Sequence, residues 1–338
     1  MKHLTKVLLM ALSLVMALCM TACGTTAATT TTTATAGETT TAAAEGEKFV
    51  VGISQLVTHD ALDAATQGFK DALNKALPGQ VEFLFQDAAN DTALCTSIAT
   101  DFVSKNVDLI MANATPALQA AAAATSDIPV LGTSVTEYGV ALGIKDFKSL
   151  VGTNVSGTSD LAPLDQQAAM LKEWFPDAKN VGLLYCAAEP NSQYQVDTVQ
   201  KELEKLGYTC KQHSFTDSND VSSVTTTAAA ESDVIYVPTD NTVASNTEII
   251  DGICQAAGVP IIAGEEGICK GCGVATLSIS YYDLGVATGE MAAKILKGEA
   301  KVSEMPIEYA KTFTPKYNKA IVEALKLPAP AEGYEVIE

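Results

Sequence analysis

From residue 48 onward, short apolar or β-branched runs alternate with stretches in which apolar residues recur every three or four positions. The runs at 49–53, 81–85, 109–112, 130–132, 181–185, 211–215, 234–237, 261–263, 274–279 and 307–310 read as strands. Between them, 63–77, 92–106, 165–175, 195–206 and 283–296 carry the helical period. Strands that are apolar almost throughout belong in parallel sheets covered on both faces, so the pattern predicts an α/β fold. A chain of 338 residues has room for two domains, and the strands divide into two sheets.

Polar stretches mark where the chain passes between the two halves. Residues 152–163, 278–283 and the segment around 310–315 are the expected crossings. They assign 48–157 plus 281–310 to a first lobe and 158–280 plus 311–338 to a second. The expected architecture is therefore two Rossmann-like lobes, each a parallel sheet flanked by helices, joined by three crossovers. Three connections between two lobes make a hinge, and a hinge leaves a cleft.

The segment before residue 48 has a different character. Lys2 and Lys6 precede an apolar run from Val7 to Ala22, which reads as an export signal over 1–22 and is too short to span a bilayer comfortably. Cys23 follows small residues in Met20-Thr-Ala-Cys-Gly24, a sequence that resembles a bacterial lipobox and marks Cys23 for acylation. From Cys23 to residue 47 the chain is almost entirely Thr, Ala, Gly and Glu, a composition expected to stay disordered and act as a tether. About 20 such residues reach ~25 Å as a random coil. The expected location is extracytoplasmic, at the cell membrane of a bacterium, held by the N-terminal lipid.

Charge narrows the range of partners. With 40 acidic residues against 21 basic ones the chain carries −19, a poor match to phosphate backbones, so no nucleic acid partner is expected. All the basic residues are Lys. An anion site without Arg must use backbone N–H groups, hydroxyls or Lys. No nucleophile elbow, zinc-protease helix or phosphate-binding loop is present, so neither an enzyme nor a cofactor is expected. Cys269 and Cys272 have metal-ligand or redox spacing, but no second pair follows at zinc-finger distance. No metal is expected there, and a loop disulfide or two free thiols is the plainer reading.

Polar residues collect at the carboxyl ends of the strands, where open parallel sheets bind ligands. Gln55 and His59 follow the first strand, Thr115 the third, Thr133 and Ser134 the fourth, and Asp160 sits at the first crossing. In the second half Glu189, Asn191 and Ser192 follow one strand, Asp240 and Asn241 another, and Glu265 and Glu266 a third. Asp240 is the simplest partner for a ligand ammonium, with a helix cap as its structural alternative. Thr115 and Ser192 open helices whose free N–H groups would suit a carboxylate, while also serving as caps.

Six segments resemble the tryptophan/tyrosine-type substrate-binding proteins of ABC transporters. They are Val51-Gly-Ile-Ser-Gln-Leu-Val-Thr-His59, Ala114-Thr-Pro-Ala117, Gly157-Thr-Ser-Asp160, Glu189-Pro-Asn-Ser192, Val237-Pro-Thr-Asp-Asn-Thr242 and Asp283-Leu-Gly-Val-Ala-Thr-Gly289. The resemblance implies the type I periplasmic-binding architecture and capture of an aromatic or other α-amino acid for an ABC permease and its ATPase. It leaves open a branched-chain amino acid, a nucleoside or a sugar as ligand, and a lipoprotein enzyme acting on small solutes as a different class.

Overall fold

The computed structural model describes residues 48–337. The proposed signal peptide, Cys23 and the tether lie outside the described residues. The elements run β1 (Phe49–Gln55), α1 (Asp60–Ala76), β2 (Val81–Asp87), α2 (Thr92–Ser104), β3 (Leu109–Asn113), α3 (Thr115–Ala124), β4 (Val130–Val135), α4 (Tyr138–Leu142) and β5 (Val155–Ser159) through the first half. The second half continues with α5 (Leu164–Trp174), β6 (Asn180–Cys186), α6 (Pro190–Lys205), β7 (Thr209–Phe215), α7 (Val221–Glu231), β8 (Val234–Val237), α8 (Asn241–Ala244), α9 (Thr247–Ala257), β9 (Ile261–Ala263), α10 (Glu266–Cys272) and β10 (Ala275–Ser278). The chain ends with α11 (Tyr281–Leu296), β11 (Glu308–Tyr309), β12 (Thr314–Tyr317), α12 (Lys319–Ala324) and β13 (Glu335–Val336).

The strands form two sheets. One is ordered β11-β5-β4-β3-β1-β2 and is parallel throughout; the other is ordered β13-β12-β10-β9-β8-β6-β7, with β12 antiparallel to β10. Central strands such as β3, β4, β8 and β9 are buried along their whole length; β8 and β9 are apolar throughout, while β3 and β4 begin apolar and turn polar toward their carboxyl ends at Asn113 and Thr133-Ser134. The edge strands β2 and β7 are more exposed, with no fully buried residue in β2 and only His213 and Phe215 buried in β7. In each sheet the chain runs outward to one edge and then reverses, between β1 and β3 in the first and between β6 and β8 in the second. Ligands bind beyond the strand ends at such reversals.

Sheet membership changes three times: between β5 and α5, between β10 and α11, and between β11 and β12. These are the three crossovers of the two-lobe α/β architecture. Two parts of the sequence pattern read differently in the structure. The polar stretch at 152–163 is not all connection, because Val155–Ser159 forms β5, paired on one side to β4 and on the other to β11. That strand also runs through the 157/158 position at which the sequence divides the lobes. Its apolar signal is weak because Ser156, Gly157, Thr158 and Ser159 follow Val155; the φ of Gly157 is +144° and its notional Cβ would lie 2.0 Å from the carbonyl oxygen of Gly132. Only glycine fits there. Cys269 and Cys272 stand not in a loop but one turn apart on α10, both buried, and all six described cysteines are free thiols.

Candidate functional site

The ends of the strands from both sheets meet in a small cavity. His59 enters it from the segment after β1, Ser134 from the end of β4, and Asp160 from the chain just beyond β5. Asn191 comes from the start of α6, Asp240 and Asn241 from the segment after β8, and Glu265 and Tyr281 follow β9 and β10. The enclosed volume is about 10 Å³, room for a single water molecule. The lobes touch directly: His59 Nε2 lies 3.2 Å from Asn241 Oδ1, and Asn90 Nδ2 donates to Thr242 Oγ1 at 3.0 Å.

Seven of the residues singled out in the sequence line this cavity: His59, Ser134, Asp160, Asn191, Asp240, Asn241 and Glu265. Five stand behind or beside it. Gln55 is wholly buried and commits its amide to Val57 O and Asp63 Oδ1 and its oxygen to the Thr66 hydroxyl, tying α1 to β1. Thr133 accepts from Thr158 Oγ1. Thr115 opens α3 after Ala114, whose φ of +86° is rare for a side chain with a Cβ. Ser192 lies one residue beyond the wall, on α6. Glu189 is a brace inside the second lobe: Oε1 accepts from Thr242 N and Oγ1, and Oε2 from Asn241 N and Nδ2.

Asp240 caps α8. Oδ1 accepts from Val243 N at 2.8 Å and Oδ2 from Cys186 N at 2.7 Å. Burial, reinforced by the nearby Glu189 carboxylate, pushes its pKa above the ordinary range. Asp160 is placed differently. Oδ2 accepts from Tyr281 OH at 2.9 Å, while Oδ1 has no hydrogen-bond partner among the described residues. Burial raises its pKa to about 6. Asn191 Oδ1 and Ser134 Oγ on the same wall are equally buried and equally without partners. Ser134 is turned there by an irregularity in the β4–β5 register and holds a left-handed φ of +53°.

Glu265 and Tyr281 complete the wall. Glu265 caps α10 through Gly267 N at 2.6 Å and Ile268 N, and burial lifts its pKa to about 7. The sequence places Glu265 among the polar residues at the strand ends, whereas Tyr281 stands at the second crossing and is a candidate by position only. His59 is kept below its usual pKa by burial, against the pull of Asn241 and the Glu189 carboxylate, so it is neutral at pH 7. The wall thus holds three buried carboxylates and neither Lys nor Arg. Such a surface suits a positively charged group. Among the described residues no group of three or more His, Cys, Asp or Glu stands ready to hold a metal ion.

Residues 50–332 match the family of ABC transporter substrate binding proteins. The chain is similar to the tyrosine-binding protein of Clostridioides difficile strain R20291, at 38% identity over 76% of this chain and 75% of that one. Among solved structures it resembles an ABC domain in complex with L-Trp from Streptococcus pneumonia, at 32% identity and a TM-score of 0.81 over 86% of this chain and all of the other. It also resembles the ligand-free, open structure of a substrate binding protein with adhesive properties from Clostridium difficile. There the identity is 40% and the TM-score 0.65, over 86% of this chain and 99% of that one. With two lobes on three crossovers and a polar cavity where their strand ends meet, the chain belongs to the ABC transporter substrate-binding family, with the type I periplasmic-binding fold.

Proposed function

We propose that this protein captures an aromatic α-amino acid between its lobes and delivers it to an ABC permease outside the cytoplasm. The observation that carries the reading is that Asp160, Asn191 and Ser134 line one cavity and that each carries a buried polar atom without a partner among the described residues, Oδ1, Oδ1 and Oγ respectively. Buried polar groups are almost always satisfied, so three orphans on residues lining the same space are places for a ligand's hydrogen bonds. Asp160 and Asn191 offer acceptors to an ammonium group, and the Ser134 hydroxyl offers a donor to a carboxylate. Asp160 is a better ammonium partner than Asp240, since each Asp240 oxygen already accepts a backbone N–H.

The aromatic side chain rests on kinship with the tyrosine-binding protein and the L-Trp complex. Such a ligand is far larger than the present cavity, so the lobes must part to admit it. The relative with the open structure is nearer in sequence than the L-Trp complex yet superposes less well, which supports closure about a hinge. Calorimetry on the full chain with tyrosine, tryptophan, phenylalanine, leucine, a nucleoside and galactose tests the ligand class. Aromatic amino acids are expected to bind near micromolar Kd, about −8 kcal/mol. Binding of leucine or galactose without any aromatic amino acid would overturn the reading.

The same proposal places the protein on the extracytoplasmic face of the cell membrane, held through acyl chains on Cys23. None of the described helices is long and apolar enough to cross a membrane. A clickable fatty-acid probe is expected to label the wild type and not Cys23→Ala; equal labelling of the two would remove the anchor.

A further inference from the structure

A second and much larger cavity, about 770 Å³, lies at the hinge. The crossing segments border it, with Thr158 near the end of β5, residues 278–280 before α11 and Tyr281 opening it, and residues 308–312 and 314 from β11 to the start of β12. The starts of α1, α10 and α11 complete it, so its wall draws on both lobes. Ala61, Glu265 and Tyr281 form a partition, lining this cavity and the strand-end cavity alike. Its size is that of sites that enclose small organic molecules.

Its charge is lopsided. Glu266 is paired with Lys316 at 2.8 Å and also accepts from Ser278 Oγ, so that ion pair is internally satisfied. Glu265 spends its oxygens on the first turn of α10. What remains is Asp60, Asp283, Glu290, Glu308 and Glu335 against Lys270 and Lys311. A recess lined by one sign of charge concentrates ions of the other sign. Apolar surface lies beside the carboxylates: Ala64, Ile279 and Ala287, with the rings of Tyr281, Tyr282 and Tyr309. Tyr282 and Tyr309 are 42% and 45% exposed, high for aromatic side chains. Tyrosine faces attract ammonium groups as well as apolar bodies.

We infer that the hinge cavity is a second binding site, separate from the strand-end cavity, that takes a small organic amine with an apolar body. The carboxylates receive the ammonium, and the alanines, Ile279 and tyrosine rings receive the hydrocarbon. Because the wall comes from both lobes, an occupant favours the lobe arrangement in which the cavity has this shape.

The test is calorimetry on the full chain with hexylamine and 1,6-diaminohexane, and with hexanoate as a body of the same kind and opposite charge. Both amines are expected to bind and hexanoate is not. Two variants address the site: Ala287→Trp fills it, and the pair Glu290→Lys with Glu308→Lys reverses part of its charge without touching a buried core. Each should weaken amine binding at least about tenfold, the scale on which like charges are rejected. If the Trp variant fails to fold, the charge pair carries the test. Amine binding should persist in Asp160→Asn and in saturating tyrosine. Loss of amine binding in Asp160→Asn, or displacement by tyrosine, would put the amine in the strand-end cavity and overturn the inference. Failure of both amines to bind, or binding of hexanoate as tight as that of hexylamine, would also overturn it. Failure of tyrosine to bind would instead count against the proposed ligand, since the amine titrations and hinge variants do not depend on it.

Discussion

Asp160 sets function against stability within one side chain. The fold holds its carboxyl at about 6, above the ordinary 3.8, because burial disfavours the charge. The folded state therefore binds the proton more tightly than the unfolded chain does. This group costs no stability below the unfolded pKa, and its cost grows as pH rises toward about 6 and then stays constant. Asp160→Asn is accordingly expected to melt above the wild type at pH 8, with the gap closing as pH falls toward 4. Equal melting temperatures at pH 8 would show that the carboxylate is compensated in the fold. The same substitution should weaken tyrosine binding by roughly 2 kcal/mol or more, about thirtyfold, through loss of a desolvated charge pair. Wild-type binding should weaken as pH drops through about 6, where the acceptor takes up a proton; flat affinity from pH 7.5 to 5 would remove Asp160 from the ammonium site. Much of this wall was legible from residue type and place, since carboxylates and amides at strand ends announce a site. The division of labour was not. Asp240 and Asp160 look alike in sequence, and what separates them is α8, a four-residue helix too short for any periodicity to reveal, whose first turn occupies Asp240.

Between elements, the closest packing is that of α1 against α11. A Cβ on Gly285 would stand 1.9 Å from Ala65 O, one on Gly289 2.6 Å from Phe69 O, and one on Gly68 2.1 Å from Tyr282 O. These glycines let two helix backbones approach where any side chain would force them apart. Gly285→Ala is expected to lose about 1–3 kcal/mol in urea unfolding, as overpacked cores do. Gly252, in the exposed interior of α9 with nothing within 4 Å, makes the contrast: Gly252→Ala should gain about 0.5–1 kcal/mol from helix propensity alone. A Gly285→Ala protein as stable as wild type would mean that the two helices can slide apart without loss. Sequence periodicity found α1 and α11 to within a few residues because both bury a long apolar stripe. It missed β5, β12 and β13, whose residues are paired by neighbours distant in the chain and carry little apolar pattern of their own.

At the scale of the whole molecule, the hinge and the lobe-to-lobe hydrogen bonds make closure a shift between two arrangements. Small-angle scattering on the full chain should show a smaller radius of gyration with saturating tyrosine than without it; an unchanged radius at saturation would mean that the ligand enters without lobe movement. The path of the chain through the two lobes bears also on how the protein reaches its native state. Residues 281–309 supply α11 and β11 to the first sheet's lobe, more than 100 residues after β5 has left it. A chain emerging N-terminus first therefore presents the α1 face around Ala65 and Phe69 uncovered until the last part of the sequence arrives, and loop closure over such a span is slow. In refolding followed by pulsed hydrogen exchange, amides of α1 and α11 should become protected together and after those of β6 and β8. Early protection of α1 alone would show that the first lobe is stable without its returning segment. If the order holds, this protein stays open to chaperones and to the export machinery until its synthesis is nearly complete.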